Sequence, residues 1–211
     1  MEMITARGTG LLRILIAALF VAASVAFARA DSVGGQFLVA EEELEGTSFQ
    51  RTVIMMIEHD SSGAMGLTVN RPLHEADLTG LMAEVLGEDA AQDAPISQDA
   101  GVRLYAGGPV AQQSMLALHG PGFSAEQTVE VAQDIHMTPV QAVMAALAEG
   151  DGPDIESLRL YLGHAGWASG QLEGEQERGS WHVIPADPRL VFAPDPSQVW
   201  TEAMARRQRE L

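Results

Sequence analysis

The sequence of 211 residues contains no cysteine and no lysine. Without cysteine, disulfide scaffolding, thiol nucleophiles, thiolate metal sites and cysteine-based redox chemistry are excluded. Without lysine, the 12 Arg residues are the only side chains with a permanent positive charge, and the 29 Asp and Glu residues give a formal net charge of -17. Because such a surface repels phosphate groups and anionic lipids, the charge predicts no nucleic-acid partner.

Long hydrophobic runs are also scarce. The run from Ile14 to Phe27 has 14 residues, fewer than the roughly 20 that a membrane-spanning helix needs. Arg7 and Arg13 precede it, and Ala28-Arg29-Ala30 follows with the small-x-small pattern of a signal-peptidase site. We therefore predict a signal peptide over residues 1–30, cleaved after Ala30, and a periplasmic or secreted protein with no stable membrane insertion. The alternatives are an uncleaved anchor, or a misplaced start codon and a cytoplasmic protein.

Residues 31–211 have the composition of one folded domain. Hydrophobic residues make up 46% of the sequence and charged residues 19%, which is too apolar for a disordered chain. Strand-like and helix-like segments alternate without regular βαβ spacing, which favours a mixed α+β fold. A turn at 59–63 predicts a hairpin. The strand-like segments are 36–40, 51–58, 64–70, 102–106, 114–118, 157–163 and 181–184.

Two segments have the apolar stripe of an amphipathic helix, 76–86 and 138–148. Gly87 is a plausible stop for the first. A short polar helix capped by Ser169 and a final helix from Asp195 are also predicted, whereas the acidic residues 88–101 predict an exposed loop. The boundary signals of the second helix are Thr138 as N-cap, Pro139 at the first helical position, Gln141 in a capping box and Gly150 beyond the end.

Familiar catalytic motifs are missing from the sequence. No two of the six His residues lie three to five residues apart, and no zincin helix or EF-hand loop occurs, so we predict no metal site and no cofactor. The nearest approach to a nucleophile elbow, Trp167-Ala168-Ser169-Gly170, lacks the first glycine. Phosphate-binding loops and dinucleotide fingerprints are likewise not found.

Three short constellations can still carry chemistry. Glu58-His59-Asp60 places an imidazole between carboxylates, either as a general base or in a turn where Asp60 and Ser61 satisfy backbone donors. Asn70-Arg71-Pro72 offers an amide and a guanidinium to a carboxylate or phosphate group, or simply ends a strand. The segment from Gly166 to Glu173 lets backbones approach closely beside the indole of Trp167, or is a turn closed by a core tryptophan.

Several motifs follow one another in a characteristic order along the chain. They are Gln36-Phe-Leu-Val-Ala40, Phe49-x-x-Thr-Val-Ile54, Glu58-His-Asp60, Gly63-Ala-Met-Gly-Leu-x-Val-Asn-Arg-Pro72, Gly107-Gly-Pro-Val110, Gly163-x-Ala-Gly-Trp-x-x-Gly-Gln-Leu-Glu173 and Ser180-Trp181. Over about residues 36–205 the sequence closely resembles the AlgH-like (YqgE) family of bacterial proteins. The resemblance implies an α+β fold in which a bifurcated, mostly antiparallel sheet forms a pseudo-barrel flanked by helices.

The resemblance also marks signature positions, without implying an established reaction. Two features depart from the family pattern. Arg71 stands where lysine is usual, and relatives generally begin near Gln36 without a signal peptide. The second departure argues against a cytoplasmic location for this chain. The signature positions are His59, Gly66, Asn70, Pro72, Gly107, Gly108, Gly166, Trp167, Gly170, Gln171, Glu173 and Trp181.

Three functional hypotheses follow. The first is a non-enzymatic domain that binds a small ligand or a protein partner. The second is a hydrolase or transferase with His59 or Glu173 as general base, for which no nucleophile or metal set is identifiable. The third, a regulator of exopolysaccharide gene expression, follows from the family's name alone, and the net charge and signal peptide argue against it. The candidate ligand-binding residues are Asn70, Arg71, Gly107, Gly108, Gly166, Trp167 and Gln171.

Overall fold

The structure is a computed structural model that describes residues 32–97 and 99–210; the predicted signal peptide lies outside them. Among the described residues, no helix is long and apolar enough to span a membrane. The strands are β1 (Gln36–Ala40), β2 (Val53–Asp60), β3 (Gly63–Thr68), β4 (Pro72–Asp77), β5 (Gly101–Ala106), β6 (Val110–His119), β7 (Val129–Ala132), β8 (Ile135–Pro139), β9 (Leu158–Ala168) and β10 (Trp181–Pro185). The α-helices are α1 (Leu78–Leu86), α2 (Glu88–Gln92), α3 (Val140–Glu149), α4 (Gln171–Glu177), α5 (Pro188–Val191) and α6 (Val199–Glu210).

The strands form a curled, mostly antiparallel sheet that makes a half-barrel, which confirms the predicted α+β fold. Its main path runs β10-β1-β2-β3-β9-β6-β8-β7. One edge of β9 serves two neighbours, because its last residues pair antiparallel with β3 and its first residues pair parallel with β5. Strand β4 then pairs with β5. The sheet therefore divides at β9 into two arms, as the family resemblance implied.

Glycines allow the backbones to approach closely at this division. The Gly107 N–H donates to the Leu162 carbonyl at 2.8 Å, and the Gly107 carbonyl accepts from the Thr68 N–H at 2.9 Å. A Cβ on Gly107 would lie 2.2 Å from the Gly163 carbonyl oxygen, and one on Gly108 would lie 2.1 Å from the His164 carbonyl carbon. These clashes leave glycine as the residue that fits at both positions.

Three apolar clusters stabilise the sheet. The half-barrel interior contains Phe37, Met55, Leu67, Tyr105 and Tyr161, and α5 and α6 cover it. A second cluster packs α1 and α3 against the outer face of β5, β6 and β9. The third lies under α4 on the opposite face of β1, β2 and β3. Burial of apolar side chains on both sheet faces explains the continuous apolar runs at 37–40 and 53–57.

Several predicted boundaries are confirmed. Asp60 pairs with Gly63, so β2 and β3 form the predicted hairpin. Gly87 directly follows α1 and Gly150 directly follows α3, and the left-handed φ of 85° at Gly150 allows the chain to leave the helix. The start of α1 is capped by Asp77, whose carboxylate accepts hydrogen bonds from the Thr79 and Gly80 N–H groups.

The predicted N-cap role of Thr138 is wrong. Thr138 lies in β8 and is fully buried, and α3 begins two residues later without a side-chain cap. Its hydroxyl belongs to a buried chain of three hydrogen bonds, each 2.8 Å long. His119 Nδ1 bonds to the Gly120 carbonyl oxygen and His119 Nε2 bonds to Thr138 Oγ1. Thr138 Oγ1 in turn bonds to Thr128 Oγ1. Strand pairing of residues 136–139 with β6 overrides the local capping pattern.

Three further expectations are corrected. The segment predicted as a loop contains α2, because Glu88 and Asp89 lie in its first turn, where carboxylates favour a helix, and Ala91 packs against the core. Ser169 does not cap α4; its hydroxyl donates to the Ser61 carbonyl, and Gly170 occupies the cap position. Strands β4, β7 and β8 were not predicted: β4 and β7 are largely exposed, and the end of β8 carries the capping pattern at Thr138.

Candidate functional site

His59 and Glu173, the two candidate general bases, come together in the structure. His59 Nδ1 accepts the backbone N–H of Val33 at 3.1 Å, and His59 Nε2 lies 3.2 Å from Glu173 Oε1 in the first turn of α4. Since Nδ1 accepts a hydrogen, the ring hydrogen lies on Nε2 and is donated to Glu173. The His59 side chain is 5% exposed and that of Glu173 is 49% exposed. The imidazole therefore orients the carboxylate, and both of its ring nitrogens take part in hydrogen bonds.

Asp60, the neighbour of His59, has the turn-forming role that was the alternative interpretation of this motif. Its Oδ1 accepts both the hydroxyl and the backbone N–H of Ser62. The hydroxyl of Ser62 and then its backbone N–H hold the pKa of the Asp60 carboxyl below its ordinary value. An ionised Asp60 thus closes the turn between β2 and β3.

Trp167 lies in an aromatic cluster with Phe49 and Trp181, which we call the indole cluster. Phe49 stacks on Trp167 with ring centroids 6.5 Å apart, and Trp181 meets Trp167 edge-on at 6.1 Å. Trp167 is 7% exposed and Trp181 is 5% exposed. Both rings therefore belong to the core, as one of the two interpretations of the Gly166–Glu173 segment proposed.

Sequence reasoning missed the residue that joins the indole cluster to α4, Glu175. One carboxylate oxygen, Oε2, accepts the indole N–H groups of Trp167 and Trp181, each at 2.8 Å. Gln171 donates to the other oxygen at 3.0 Å. Burial raises the pKa of Glu175, but the hydrogen bonds from Trp181, Gln171 and Trp167 outweigh it and the net pKa is lowered. The available signal was that two core tryptophans need an acceptor for their N–H groups.

Asn70 and Arg71 contact the segment before β2 and take no part in the His59–Glu173 pair. The Asn70 amide accepts the Val53 N–H at 2.9 Å and donates to the Arg51 carbonyl at 2.8 Å, so it extends the pairing of β2. The Arg71 guanidinium donates to the Gln50 carbonyl. Both side chains stabilise the loop in which Arg51 adopts a positive φ of 52°.

The predicted glycines separate into two groups. Gly107 and Gly108 lie where the sheet divides, and close backbone contacts account for both. Gly166 is different, because a Cβ there would meet Val110 Cγ2 at 3.5 Å and no other atom closer than 3.9 Å. A methyl group would fit at this position, so packing does not account for the glycine.

A cleft of about 230 Å3 lies at the hairpin of β2 and β3, and we call it the hairpin cleft. Met65, which lines it, is the cross-strand partner of both Gly166 and Glu58. Successive residues of β2 point to opposite faces, so Glu58 and Asp60 face this cleft while His59 faces α4. Trp167 is the predicted site residue that lines it. The full lining is Glu58, Asp60, Ser62, Gly63, Ala64, Met65 and Trp167.

Fold and site together define an α+β protein with a divided half-barrel sheet and an indole cluster closed by a short helix. The model of the AlgH-like family matches residues 37–211, so the chain belongs to the AlgH-like family. The family is one of uncharacterised proteins. Membership therefore establishes the fold and leaves the activity open.

Relatives from several bacteria support this assignment. A protein of Methylococcus capsulatus is 36% identical over 170 residues, covering 81% of this chain and 88% of its own. The AlgH protein of Pseudomonas aeruginosa is 37% identical over 171 residues, covering 81% of this chain and 86% of its own.

Two solved structures have the same fold. The solution structure of AlgH from Pseudomonas aeruginosa superposes with a TM-score of 0.63 at 35% identity, covering 83% of this chain and 89% of that one. The crystal structure of a protein from Corynebacterium diphtheriae gives a TM-score of 0.63 at 31% identity, covering 83% and 87%.

Proposed function

We propose that this protein is a non-enzymatic domain that binds a small ligand or a segment of a protein partner at the hairpin cleft. One observation carries the proposal. The side chains that could act in catalysis are already hydrogen-bonded within the fold, whereas the cleft beside them is open. His59 uses both ring nitrogens in hydrogen bonds, and Ser62 and Ser169 donate their hydroxyls to Asp60 and to the Ser61 carbonyl.

Gly166 supports the cleft as the binding position. Packing does not require glycine at this position. Gly166 also pairs with Met65, which lines the cleft. A glycine without a packing reason leaves space in which ligand atoms can approach the backbone. Trp167, the residue next to it, is also part of the cleft lining.

The charge of the cleft indicates the chemistry of the ligand. Glu58 and Asp60 are its charged side chains, and the whole chain carries a net charge of -17. A cleft lined by one sign of charge concentrates ligands of the other sign. The ligand that fits is therefore a cationic group, such as an ammonium or guanidinium on a small molecule or a basic peptide.

The experiment is a titration of 15N-labelled protein with tetra-lysine peptide, in which the amide chemical shifts are monitored. We expect saturable shifts of the backbone amides of residues 58–66 and of Trp167. Glu58→Gln should weaken binding by about fivefold to tenfold, as loss of a charge-assisted contact implies. Glu149→Gln, which removes the same charge from the exposed end of α3, is the matched control and should stay within about twofold.

Two results would contradict the proposal. Equal weakening by Glu58→Gln and Glu149→Gln would show only long-range attraction to an acidic protein. Unchanged binding in Glu58→Gln would remove the cleft as the binding position.

The enzymatic alternative depends on Glu173, the half-exposed carboxylate that His59 orients. Glu173→Gln keeps an acceptor for His59 Nε2 and removes the base. The test is whether the wild-type protein hydrolyses chromogenic ester, amide or phosphate substrates. Hydrolysis that is lost in Glu173→Gln would favour the enzymatic hypothesis over the binding hypothesis.

We also propose that the protein is exported. The support is the charged, apolar and small-x-small pattern of residues 7–30. Intact mass spectrometry of the native periplasmic fraction should find a chain that begins at Asp31. A cytoplasmic species that retains residues before Asp31 would overturn this location.

A further inference from the structure

A second cavity, separate in its lining from the hairpin cleft, lies between β4, β5, the start of β9 and the segment after α5. Its volume is about 160 Å3. Two arginines from neighbouring strands contribute to its wall, since Arg103 of β5 is the register partner of Arg159 in β9. The lining residues are Glu75, Gly101, Arg103, Ile155, Glu156, Arg159, Phe192 and Pro194.

Two guanidinium groups side by side repel each other, which is unfavourable unless other groups compensate. Like charges on directly opposite residues of neighbouring strands destabilise a sheet. Arg159 is in addition only 4% exposed, and a buried charge needs compensation. The polar contacts of both arginines show how far other groups of the protein offset this cost.

Neutral carbonyl groups provide the hydrogen bonds of both arginines. Arg159 donates to the carbonyls of Glu156, Leu158 and Phe192 at 2.8, 2.9 and 3.0 Å. Arg103 donates through Nη1 to the carbonyls of Ala193 and Pro194 at 3.3 and 2.6 Å. These bonds attach the segment after α5 to the sheet, but they bring no negative charge.

Neither Arg103 nor Arg159 forms an ion pair with a carboxylate of the described residues. Residues 31–211 contain 28 Asp and Glu against nine Arg. Within the described part of the chain, the arginine ion pairs shorter than 4.0 Å involve Arg189, Arg206 and Arg207, not Arg103 or Arg159. Two adjacent arginines thus stay unpaired although carboxylates outnumber arginines about threefold.

Both arginines also have hydrogen-bond capacity left. A guanidinium has five N–H donors. The hydrogen bonds of Arg103 come from Nη1, which leaves Nε and Nη2 for another acceptor. The Nε of Arg159 is buried and has no partner. The ring of Phe192, whose centroid lies 5.8 Å from Arg159 Cζ, holds this guanidinium in place.

We infer that this cavity binds the carboxylate group of a small ligand between Arg103 and Arg159. The planar forks of two arginines match a carboxylate in shape and hydrogen-bonding pattern. Glu75 and Glu156 also line the cavity, so its four charged side chains sum to zero before the ligand binds. That balance favours a singly charged carboxylate over a phosphate dianion. The volume suits one such group with few further atoms.

The inference is tested by titrating 15N-labelled protein with sodium acetate, and separately with sodium phosphate, in low-chloride buffer at constant ionic strength. The readout is the Nε–H signal of each arginine. Acetate should shift the signals of Arg103 and Arg159 saturably and leave that of Arg178 in place. Arg103→Gln should weaken acetate binding by about tenfold, while the exposed, charge-matched control Arg178→Gln should stay within about twofold.

Three outcomes would overturn the inference. Shifts that rise linearly without saturation, or equally at Arg178, would show non-specific ion effects. Tighter binding of phosphate than of acetate would show a different ligand class. Unchanged acetate affinity in a folded Arg103→Gln variant would place the site elsewhere. If that variant does not fold, the arginine signals of the wild-type protein still decide the question.

Discussion

At the scale of single residues, the carboxylate of Glu175 decides whether the indole cluster is stable. One oxygen receives two indole N–H groups, and the other receives the Gln171 amide. Because Trp167 and Trp181 are almost fully buried, neither indole can exchange this acceptor for bulk water. Loss of the charge would therefore leave buried donors short of acceptors.

We predict that Glu175→Gln lowers the free energy of unfolding by about 2–3 kcal/mol, the cost of weakening charged hydrogen bonds to buried donors. Urea unfolding followed by tryptophan fluorescence measures the change. The control is Glu177→Gln, an exposed residue of the same helix, and it should stay within about 0.5 kcal/mol of wild type. Equal stability of the two variants would contradict the role given to Glu175.

His119 predicts a pH dependence of stability. Burial lowers its pKa in the folded state, opposed by the Gly120 carbonyl and assisted by His136. As pH falls below the unfolded value of about 6.5, the unfolded chain binds a proton that the folded chain resists, so stability decreases. Urea unfolding from pH 7.5 to 5 should show a steeper loss in wild type than in His119→Gln. Parallel curves would contradict this assignment.

At the scale of elements, the division of the sheet depends on glycine at chosen positions. We predict that Gly107→Ala costs about 3 kcal/mol or more, because overpacking against a backbone carbonyl cannot relax by a side-chain rotation. Gly166→Ala, on the same sheet and with room for a methyl group, should change stability by less than about 1 kcal/mol. Thermal unfolding compares them, and equal melting temperatures would contradict the packing explanation.

The sequence predicts those elements whose boundaries are set by local chemistry. The hairpin of β2 and β3 and the ends of α1 and α3 belong to this group, since turn residues and glycines act over a few positions. Thr138 shows the limit. Its capping pattern is intact, but pairing of β8 with β6 places it in a strand, and no local rule contains that partner.

At the scale of the whole molecule, the excess of negative charge dominates. Like charges confined to one compact chain repel one another, and salt screens the repulsion. We predict that the melting temperature of residues 31–211 rises between about 10 mM and about 200 mM NaCl, over which the screening length falls from about 30 Å to below 10 Å. Combined Glu126→Gln and Glu149→Gln substitutions should reduce the rise. A falling melting temperature would contradict the prediction.

The candidate site shows the same division between local and global information. His59, Trp167, Gln171 and Glu173 were identified from their motifs, and the structure brings them together at α4. Asn70 was identified too, but its amide completes the backbone pairing of β2. Glu175 was missed, because a glutamate on a polar helix has no distinguishing sequence feature until its two tryptophan partners are known.

The sequence by itself determined the class of fold, the family, the acidic character and the absence of thiol chemistry, because composition and short motifs act independently of tertiary contacts. The tertiary structure decided which residues meet. The pairing of His59 with Glu173 joins positions 114 residues apart, and Arg103 meets Arg159 only through β5 and β9. Such contacts depend on the register and division of the sheet, which the packing of all three clusters selects together.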